Sequence, residues 1–228
     1  MIPLRDENPS RLTPYVNYAI IVLCVLVFLW QLSLGPVRAQ HAVYAFGAIP
    51  AVLFGNVQLP SDIAVVAPWM SVLTSMFMHG GWMHLLGNML YLWIFGDNIE
   101  DSMGHVRYFI FYVLCGLAAV LAQALPDTSS QVPMIGASGA ISGVLGAYLL
   151  LFPRARIHVI IPLGLYFHQA RLPAMWVLLF WFALQLISNL LQGKAGSGVA
   201  FGAHIGGFIT GLALIPLFKY RNVRLLNP

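Results

Sequence analysis

Charged residues are scarce in this sequence. Asp, Glu, Lys and Arg make up only 8% of its 228 residues, whereas 60% are hydrophobic. A soluble domain carries roughly 25% charged residues, and several apolar runs here are long enough to cross a bilayer. The composition therefore excludes an ordinary soluble domain and predicts an all-α polytopic membrane protein.

Features that would indicate other functions are also missing. The basic residues form no stripe or aromatic-interleaved patch, so no nucleic-acid partner is expected. Cys24 and Cys115 lie in apolar runs and are interpreted as buried hydrophobes; a catalytic thiol is conceivable, but neither has a polar neighbour in the sequence. The apolar runs contain no His-Glu-x-x-His motif and no pair of aspartates. No metal and no cofactor are therefore expected.

Apolar runs divide the chain into six predicted spans, which belong to one domain covering residues 1–228. After a short polar tail, the spans are about 15–34, 82–95, 106–125, 138–152, 172–191 and 199–218. The first run is about twenty residues long, which exceeds a typical signal-peptide core, so it is interpreted as a retained span.

Four connections between the spans are assigned from composition. Residues 35–78 form too long a segment for a structureless loop, so they are expected to hold short helices at the membrane interface. Residues 96–101 are interpreted as a charged exit to solvent, and residues 192–198 as a glycine-rich loop. Residues 157–170 are interpreted as an interfacial or re-entrant segment.

The distribution of basic residues predicts the orientation. Six spans place both termini on one side of the membrane, and of the 11 basic residues only Arg38 and Lys194 fall on the other side. The residues on the side of the termini are Arg5, Arg11, Arg107, Arg154, Arg156, Arg171, Lys219, Arg221 and Arg224. By the positive-inside rule both termini are cytosolic, so spans 2, 4 and 6 begin at the outer face.

Polar side chains within these three spans are the candidate functional residues, because polar groups in a membrane are costly and frequently functional. His84 and Asn88 lie early in span 2, Ser138 begins span 4, and His204 lies early in span 6. A helix from Ser138 to Phe152 is roughly 21 Å long, against a hydrocarbon core of about 30 Å. Ser138 is therefore expected roughly 10 Å below the outer boundary, in a water-filled cavity.

Small residues predict how the serine and His204 meet. Glycines recur four residues apart at Gly139/Gly143, Gly202/Gly206 and Gly207/Gly211. Such faces let membrane helices cross closely, and His204 shares a face with the last pair. The simplest interpretation of the first motif alone is that Ser138 is a helix N-cap beside packing glycines.

The chemistry that these residues support is nucleophilic catalysis. A serine hydroxyl becomes nucleophilic when a neutral histidine accepts its proton, and a helix N-terminus presents backbone N–H groups to an oxyanion. His84 and Asn88 are one turn apart and can donate to the same oxyanion, although helix–helix hydrogen bonding would also explain them. No acidic residue in a span can orient His204, so a Ser/His/Asp triad is not supported. His79, just before span 2, is interpreted as structural.

Three motifs together resemble the rhomboid intramembrane serine proteases. They are His79-x4-His84-x3-Asn88, Gly136-Ala-Ser138-Gly139 and Ala203-His204-Ile-Gly206-Gly207. The resemblance covers spans 2 to 6 and implies a six-transmembrane-helix bundle with a long, partly membrane-embedded first loop. It implies Ser138 as nucleophile and His204 as base, with oxyanion stabilisation by His84, Asn88 and the Ser138 backbone N–H.

The resemblance also implies partners and a location. Substrates would be transmembrane proteins in the lipid bilayer, cut in helix-weak segments with a small residue at the cut; the oligomeric state is not predicted. The absence of a long extension favours the prokaryotic form in the inner membrane. Two positions depart from the family pattern: Trp69 is followed by Met70 where many members have arginine, and Ser142 stands where some have an aromatic residue.

Two other functions are considered. Rhomboid-like proteins that bind client helices without cleaving them lose the serine or the histidine, and both are present here. A histidine-relay channel or proton-coupled carrier is disfavoured by the lack of acids within spans and of inverted repeats. Span 5 carries bulky residues that are expected to form a lateral surface beside span 2: Trp176, Phe180, Trp181 and Phe182.

Overall fold

The computed structural model describes residues 1–164, 166–191 and 200–226, and these residues are mostly helical, as predicted. The helices are α1 (Tyr15–Ser33), α2 (Pro36–Phe46), α3 (Pro50–Leu53), α4 (Pro68–Thr74), α5 (Trp82–Met103), α6 (His105–Ala124), α7 (Ser138–Leu151), α8 (Ala174–Leu191) and α9 (Phe201–Phe218). The strands are β1 (Ile2–Asp6), β2 (Arg156–Leu163) and β3 (Tyr166–Pro173). The predicted glycine-rich loop at 192–198 and the predicted start of span 6 at residue 199 lie outside the described residues.

Four helices within the described residues are long and apolar enough to cross a membrane: α1, α6 with the 3₁₀ turn that follows it, α8 and α9. They correspond to predicted spans 1, 3, 5 and 6, and they make the chain an integral membrane protein. Helix α7 is apolar but shorter. The predicted short helices between spans 1 and 2 are confirmed as α2, α3 and α4, which are followed by a 3₁₀ turn at Ser75–Phe77.

Helix α7 is the core of the bundle. Every residue from Gly139 to Tyr148 is buried, so the helix has no exposed face along most of its length. A helix that is apolar on all sides is stable only when other elements surround it. Helices α5, α6 and α9 pack around α7. The first turns of α5 and α9 thereby reach the level of Ser138, whereas α6 brings its later turns, with Ala119 and Gln123, to this level.

The predicted close crossing of α7 and α9 is confirmed. A Cβ atom at Gly207 would collide with the carbonyl oxygen of Gly139, and one at Gly211 would collide with that of Gly143. The two backbones are therefore in direct contact, which only glycine permits at these positions. This contact sets how far apart the first turns of the two helices lie.

A three-stranded antiparallel sheet, which the sequence analysis did not predict, lies at one end of the bundle. Strands β2 and β3 form a hairpin, and β1 pairs with the other edge of β2. Residues 157–170, interpreted from the sequence as an interfacial or re-entrant segment, lie in this β-hairpin, and β2 pairs with the segment that precedes α1. Ile157 and Val159 alternate with polar residues and are buried, which is the period-two pattern of a strand.

The N-terminal segment is fixed to this end by hydrogen bonds as well. The Tyr148 hydroxyl donates to Asp6 Oδ2 over 2.6 Å, and the His158 ring bonds Glu7 Oε1 over 2.6 Å. Burial raises the pKa of the Asp6 carboxyl to about 6, against the opposing effect of the Tyr148 hydrogen bond. The ordinary value for this group is 3.8.

The charged residues that follow span 2 do not leave the helix for solvent, so the interpretation of residues 96–101 is wrong. Helix α5 continues through them, and Glu100 is fully buried. Its carboxylate accepts the backbone N–H groups of Val16, at 3.0 Å, and Asn17, at 2.7 Å. These lie in the first turn of α1, where N–H groups lack helical acceptors and the helix dipole favours an anion. The His105 ring also contacts this carboxylate.

Contacts between loops show which segments lie together at each end of the bundle. The C-terminal tail joins the end that carries the sheet, since Tyr220 N–H donates to Ser102 O over 2.9 Å. At the opposite end, Ala48 and Met134 exchange backbone hydrogen bonds of 3.0 and 2.8 Å. The connection before α3 and the loop before α7 are thereby joined, and Ser138 lies at this second end.

Candidate active site

Ser138 is the first residue of α7, but it does not cap the helix. The N-cap position belongs to Ala137, and no side chain caps this helix. The N-cap interpretation of Ser138 is therefore wrong, because its hydroxyl is engaged elsewhere. The backbone N–H groups of the first turn have no acceptor within the helix, so they remain available as hydrogen-bond donors beside Ser138.

The structure brings Ser138 and His204 together. Ser138 Oγ lies 2.8 Å from His204 Nε2, and both residues are half-buried. His204 occupies the first turn of α9, which is held on α6 because Gln123 Oε1 accepts the Ala203 N–H over 3.2 Å. The glycine crossing below this turn then fixes the distance between base and hydroxyl.

Gln185 of α8 completes the surroundings of His204, and the sequence analysis missed it. Its Oε1 lies 2.8 Å from His204 Nδ1. The predicted spans contain no acid that could take this orienting role. The sequence does carry a signal for it, because Gln185, like Asn88, is a polar amide within a predicted span.

His84 and Asn88 lie beside Gly136, two residues before Ser138. Gly136 has φ +122, and a Cβ at this position would lie 2.6 Å from His84 Nε2 and 3.7 Å from Asn88 Nδ2. The Gly80 N–H donates to His84 Nδ1 over 3.3 Å, so the neutral ring carries its proton on Nε2. Asn88 is buried, and its Nδ2 has no hydrogen-bond partner among the residues that the structure describes. Two N–H donors therefore flank the segment that leads to the serine.

His79 is placed differently from the other histidines. Its backbone exchanges two hydrogen bonds with the Gln31 side chain of α1, at 3.0 and 3.1 Å. Its ring lies 5.2 Å from the ring of His84. It therefore ties the start of α5 to α1 and packs against His84, in line with the structural role that the sequence favours.

The departures from the family pattern have structural counterparts. The Ser142 hydroxyl donates back to the Ser138 carbonyl over 2.6 Å, within α7. Aromatic contact with the His204 ring comes instead from Trp181 of α8, with 5.9 Å between ring centroids, and from Phe201, at 6.2 Å. Met70 is exposed on α4 beside Trp69. The His204 ring is therefore packed by α8 and α9 rather than by α7.

Two further features bear on chemistry at this site. A cavity of about 30 Å³ borders Ser138, Gly136 and Ser75, which is room for one water molecule. Within the described residues, no group of three His, Cys, Asp or Glu side chains is arranged to hold a metal ion. The groups that are present can transfer a proton and donate hydrogen bonds to an anion.

Comparison with known proteins finds matches to the larger part of the chain. A family model described as the rhomboid domain matches residues 67–221. RHOMBOID-like protein 5 of Arabidopsis thaliana is 29% identical over 159 residues, which are 69% of this chain and 48% of the relative. Rhomboid protease GluP of Bacillus subtilis is 29% identical over 199 residues, 87% of this chain and 34% of the relative.

A third relative comes from an organelle. Rhomboid protein 1, mitochondrial, of Saccharomyces cerevisiae is 32% identical over 133 residues, which are 52% of this chain and 38% of the relative. The chain thus spans between about a third and a half of the length of these curated relatives.

Proposed function

Because this chain belongs to the rhomboid family, we propose that it is an intramembrane serine endopeptidase that hydrolyses peptide bonds in or near the transmembrane segments of other proteins. The observation that carries the proposal is the 2.8 Å contact between Ser138 Oγ and His204 Nε2 within the helix bundle. A hydroxyl and a neutral imidazole at this distance are the minimum needed for nucleophilic acyl transfer.

In the first step, His204 Nε2 takes the hydroxyl proton while Ser138 Oγ bonds to the carbonyl carbon of the scissile peptide. The carbonyl π electrons move to oxygen and create an oxyanion. Collapse of this intermediate breaks the C–N bond, and the protonated His204 gives its proton to the departing amine. A water molecule then attacks the acyl ester with the same base, and Ser138 Oγ regains its proton as the acid product leaves.

The proposed oxyanion site consists of Asn88, His84 and the Ser138 backbone N–H. Its support is the unpartnered Nδ2 of Asn88, a buried donor that a substrate oxyanion would satisfy. The His84 tautomer presents a second N–H toward the same segment. Preorganised donors of this kind stabilise charge that develops in the transition state, without reorganisation cost during the reaction.

The proposed substrates are transmembrane proteins, and the proposed entry lies between α5 and α8. Trp176 and Phe180 of α8 are exposed, whereas Trp181 lies 6.4 Å from Tyr91 of α5 and Phe182 stacks on Phe208 at 4.4 Å. The four bulky residues are thus divided between an outer face and an inner contact with α5 and α9. A substrate helix must unwind to expose a carbonyl, so helix-weak segments with a small residue at the cut are the proposed sites.

We further propose six crossings, with both termini cytosolic and the active site open to the outer face. The supporting contacts are those that gather the N-terminal strand, the β2–β3 hairpin and the C-terminal tail at one end. That end carries most of the basic residues, and the positive-inside rule assigns it to the cytosol. Location in a prokaryotic inner membrane stays a prediction.

Cleavage of a model transmembrane substrate in proteoliposomes tests the proposal. The protein should cut the substrate, Ser138→Ala should abolish the cut, and Ser102→Ala, a buried serine at the opposite end of the bundle, should leave it unchanged. Cleavage by Ser138→Ala at the unaltered rate would refute the mechanism.

A further inference from the structure

Gln185 and its neighbours form a chain of hydrogen bonds that ends at the nucleophile. Gln185 Nε2 donates to the backbone carbonyl of Trp181 over 3.4 Å, within α8. Gln185 Oε1 contacts His204 Nδ1 at 2.8 Å, and His204 Nε2 contacts Ser138 Oγ at 2.8 Å. The chain therefore runs from a backbone carbonyl of α8 through α9 to the first residue of α7.

The direction of each bond follows from its neighbour. A backbone carbonyl can only accept, so the nitrogen of the Gln185 amide faces Trp181 and its oxygen faces His204. An amide oxygen also accepts only, so His204 must carry its proton on Nδ1. The lone pair of the neutral ring then lies on Nε2 and faces the hydroxyl of Ser138, which is the tautomer that a general base requires.

We propose that Gln185 is a positioning residue, which holds His204 in the Nδ1–H tautomer and aims Nε2 at Ser138. The proposal rests on the proposed function only for its kinetic consequences. In the other neutral tautomer, Nε2 would carry the proton and could not accept one from the serine. Gln185 of α8 thus acts as the hydrogen-bond acceptor that orients His204, a role for which the predicted spans contain no acid.

A neutral acceptor suits this position. A carboxylate at this depth would have to be desolvated, whereas an amide carries no charge into the bundle. The rings of Trp181 and Phe201 pack on the same imidazole and limit its rotation. Unlike the amide oxygen of Gln185, they do not accept a hydrogen bond from the imidazole N–H. Packing therefore restricts the position of the ring, and Gln185 selects its tautomer.

Two variants separate a tautomer role from a packing role. Gln185→Met keeps the length of the side chain and removes the acceptor, whereas Gln185→Glu keeps an acceptor oxygen at the same reach. Asn189→Leu removes an exposed amide from the same helix and serves as the control. Thermal unfolding in detergent shows which variants are folded.

The first readout is independent of cleavage. The ¹⁵N chemical shifts of histidine-labelled protein, with His204 assigned by difference from His204→Ala, report which ring nitrogen is protonated. The expected result is Nδ1–H in the unaltered protein and in Asn189→Leu, with a mixture of tautomers in Gln185→Met. An Nε2–H ring in the unaltered protein, or an unchanged tautomer in Gln185→Met, would overturn the proposal.

The second readout is steady-state cleavage of a model substrate in proteoliposomes. Gln185→Met should lower kcat by about 10- to 100-fold with KM unchanged, the range for loss of a hydrogen-bond partner that orients a metal-binding histidine. Gln185→Glu should retain more activity than Gln185→Met. Equal losses in the two variants, or an undiminished kcat in Gln185→Met, would overturn the role of Gln185. Failure of the unaltered protein to cleave would instead contradict the proposed function, and the tautomer measurement would still decide the proposal.

Discussion

Substitution of one glycine at the crossing of α7 and α9 should separate the base from the nucleophile. In Gly207→Ala, the added Cβ meets the backbone carbonyl of Gly139, which cannot turn away as a flexible side chain would. The two helices must then move apart by about 1 Å to restore van der Waals contact. Ser138 Oγ and His204 Nε2 start 2.8 Å apart, so this shift takes them beyond hydrogen-bond distance.

The expected losses follow from that displacement. Overpacking costs about 1–3 kcal/mol, and the upper part of this range applies because the neighbour is backbone. The better helix propensity of alanine offsets about 1 kcal/mol, which leaves a net destabilisation of about 2 kcal/mol. A misplacement of about 1 Å typically lowers the catalytic rate about 10²-fold. The rate should therefore fall further than the loss of stability alone would cause.

The assay compares kcat and thermal unfolding for Gly207→Ala and for a matched variant. Gly87→Ala adds the same methyl group to α5, where nothing lies within 4 Å of the new Cβ. It should leave kcat nearly unchanged and raise the unfolding temperature slightly, because alanine has the better helix propensity. If Gly207→Ala unfolded at the unaltered temperature and cleaved at the unaltered rate, the argument that this backbone contact sets the active-site distance would be refuted.

Three further predictions concern other parts of the molecule. Asn88→Ala should lower kcat by about 10²–10³ with KM nearly unchanged, and an unaltered kcat would remove Asn88 from the oxyanion site. Glu100→Ala leaves two N–H groups at the start of α1 without an acceptor and should lower the free energy of unfolding by about 2–4 kcal/mol. Asp101→Ala, which loses only the bond from the Leu12 N–H, should cost less when both are followed by thermal unfolding. The raised pKa of Asp6, about 6 against 3.8, means that its contribution to stability is present at low pH and is lost as pH rises through about 4 to 6. The unfolding temperature of Asp6→Asn relative to the unaltered protein should therefore rise across this window, and a difference independent of pH would contradict the burial of this carboxyl.

The parts of the structure that the sequence predicted depend on local patterns of spacing and polarity. Glycines four residues apart predict a close helix crossing whatever their surroundings, and His204 shares a helix face with Gly207 and Gly211. The start of α7 was also predictable, because a polar loop gives way there to a short apolar run. These patterns are properties of a single helix and need no knowledge of its neighbours.

The features that were missed depend on partners distant in the sequence. Gln185 gains its role only because α8 lies against α9, and Glu100 is buried only because the start of α1 covers it. The N-cap interpretation of Ser138 uses local sequence alone, whereas the structure places its hydroxyl beside a histidine 66 residues away. The period-two pattern of Ile157 and Val159 can be seen in the sequence, but β1, the strand that pairs with them, lies at the other end of the chain.

The most direct test of the central claim is covalent labelling of the protein in membranes by a fluorophosphonate probe, with the adduct located by mass spectrometry. We expect a single adduct on Ser138 Oγ, which is lost in Ser138→Ala and strongly reduced in His204→Ala. An unlabelled protein that is folded, or an adduct on another residue that survives Ser138→Ala, would contradict the assignment of Ser138 as an activated nucleophile.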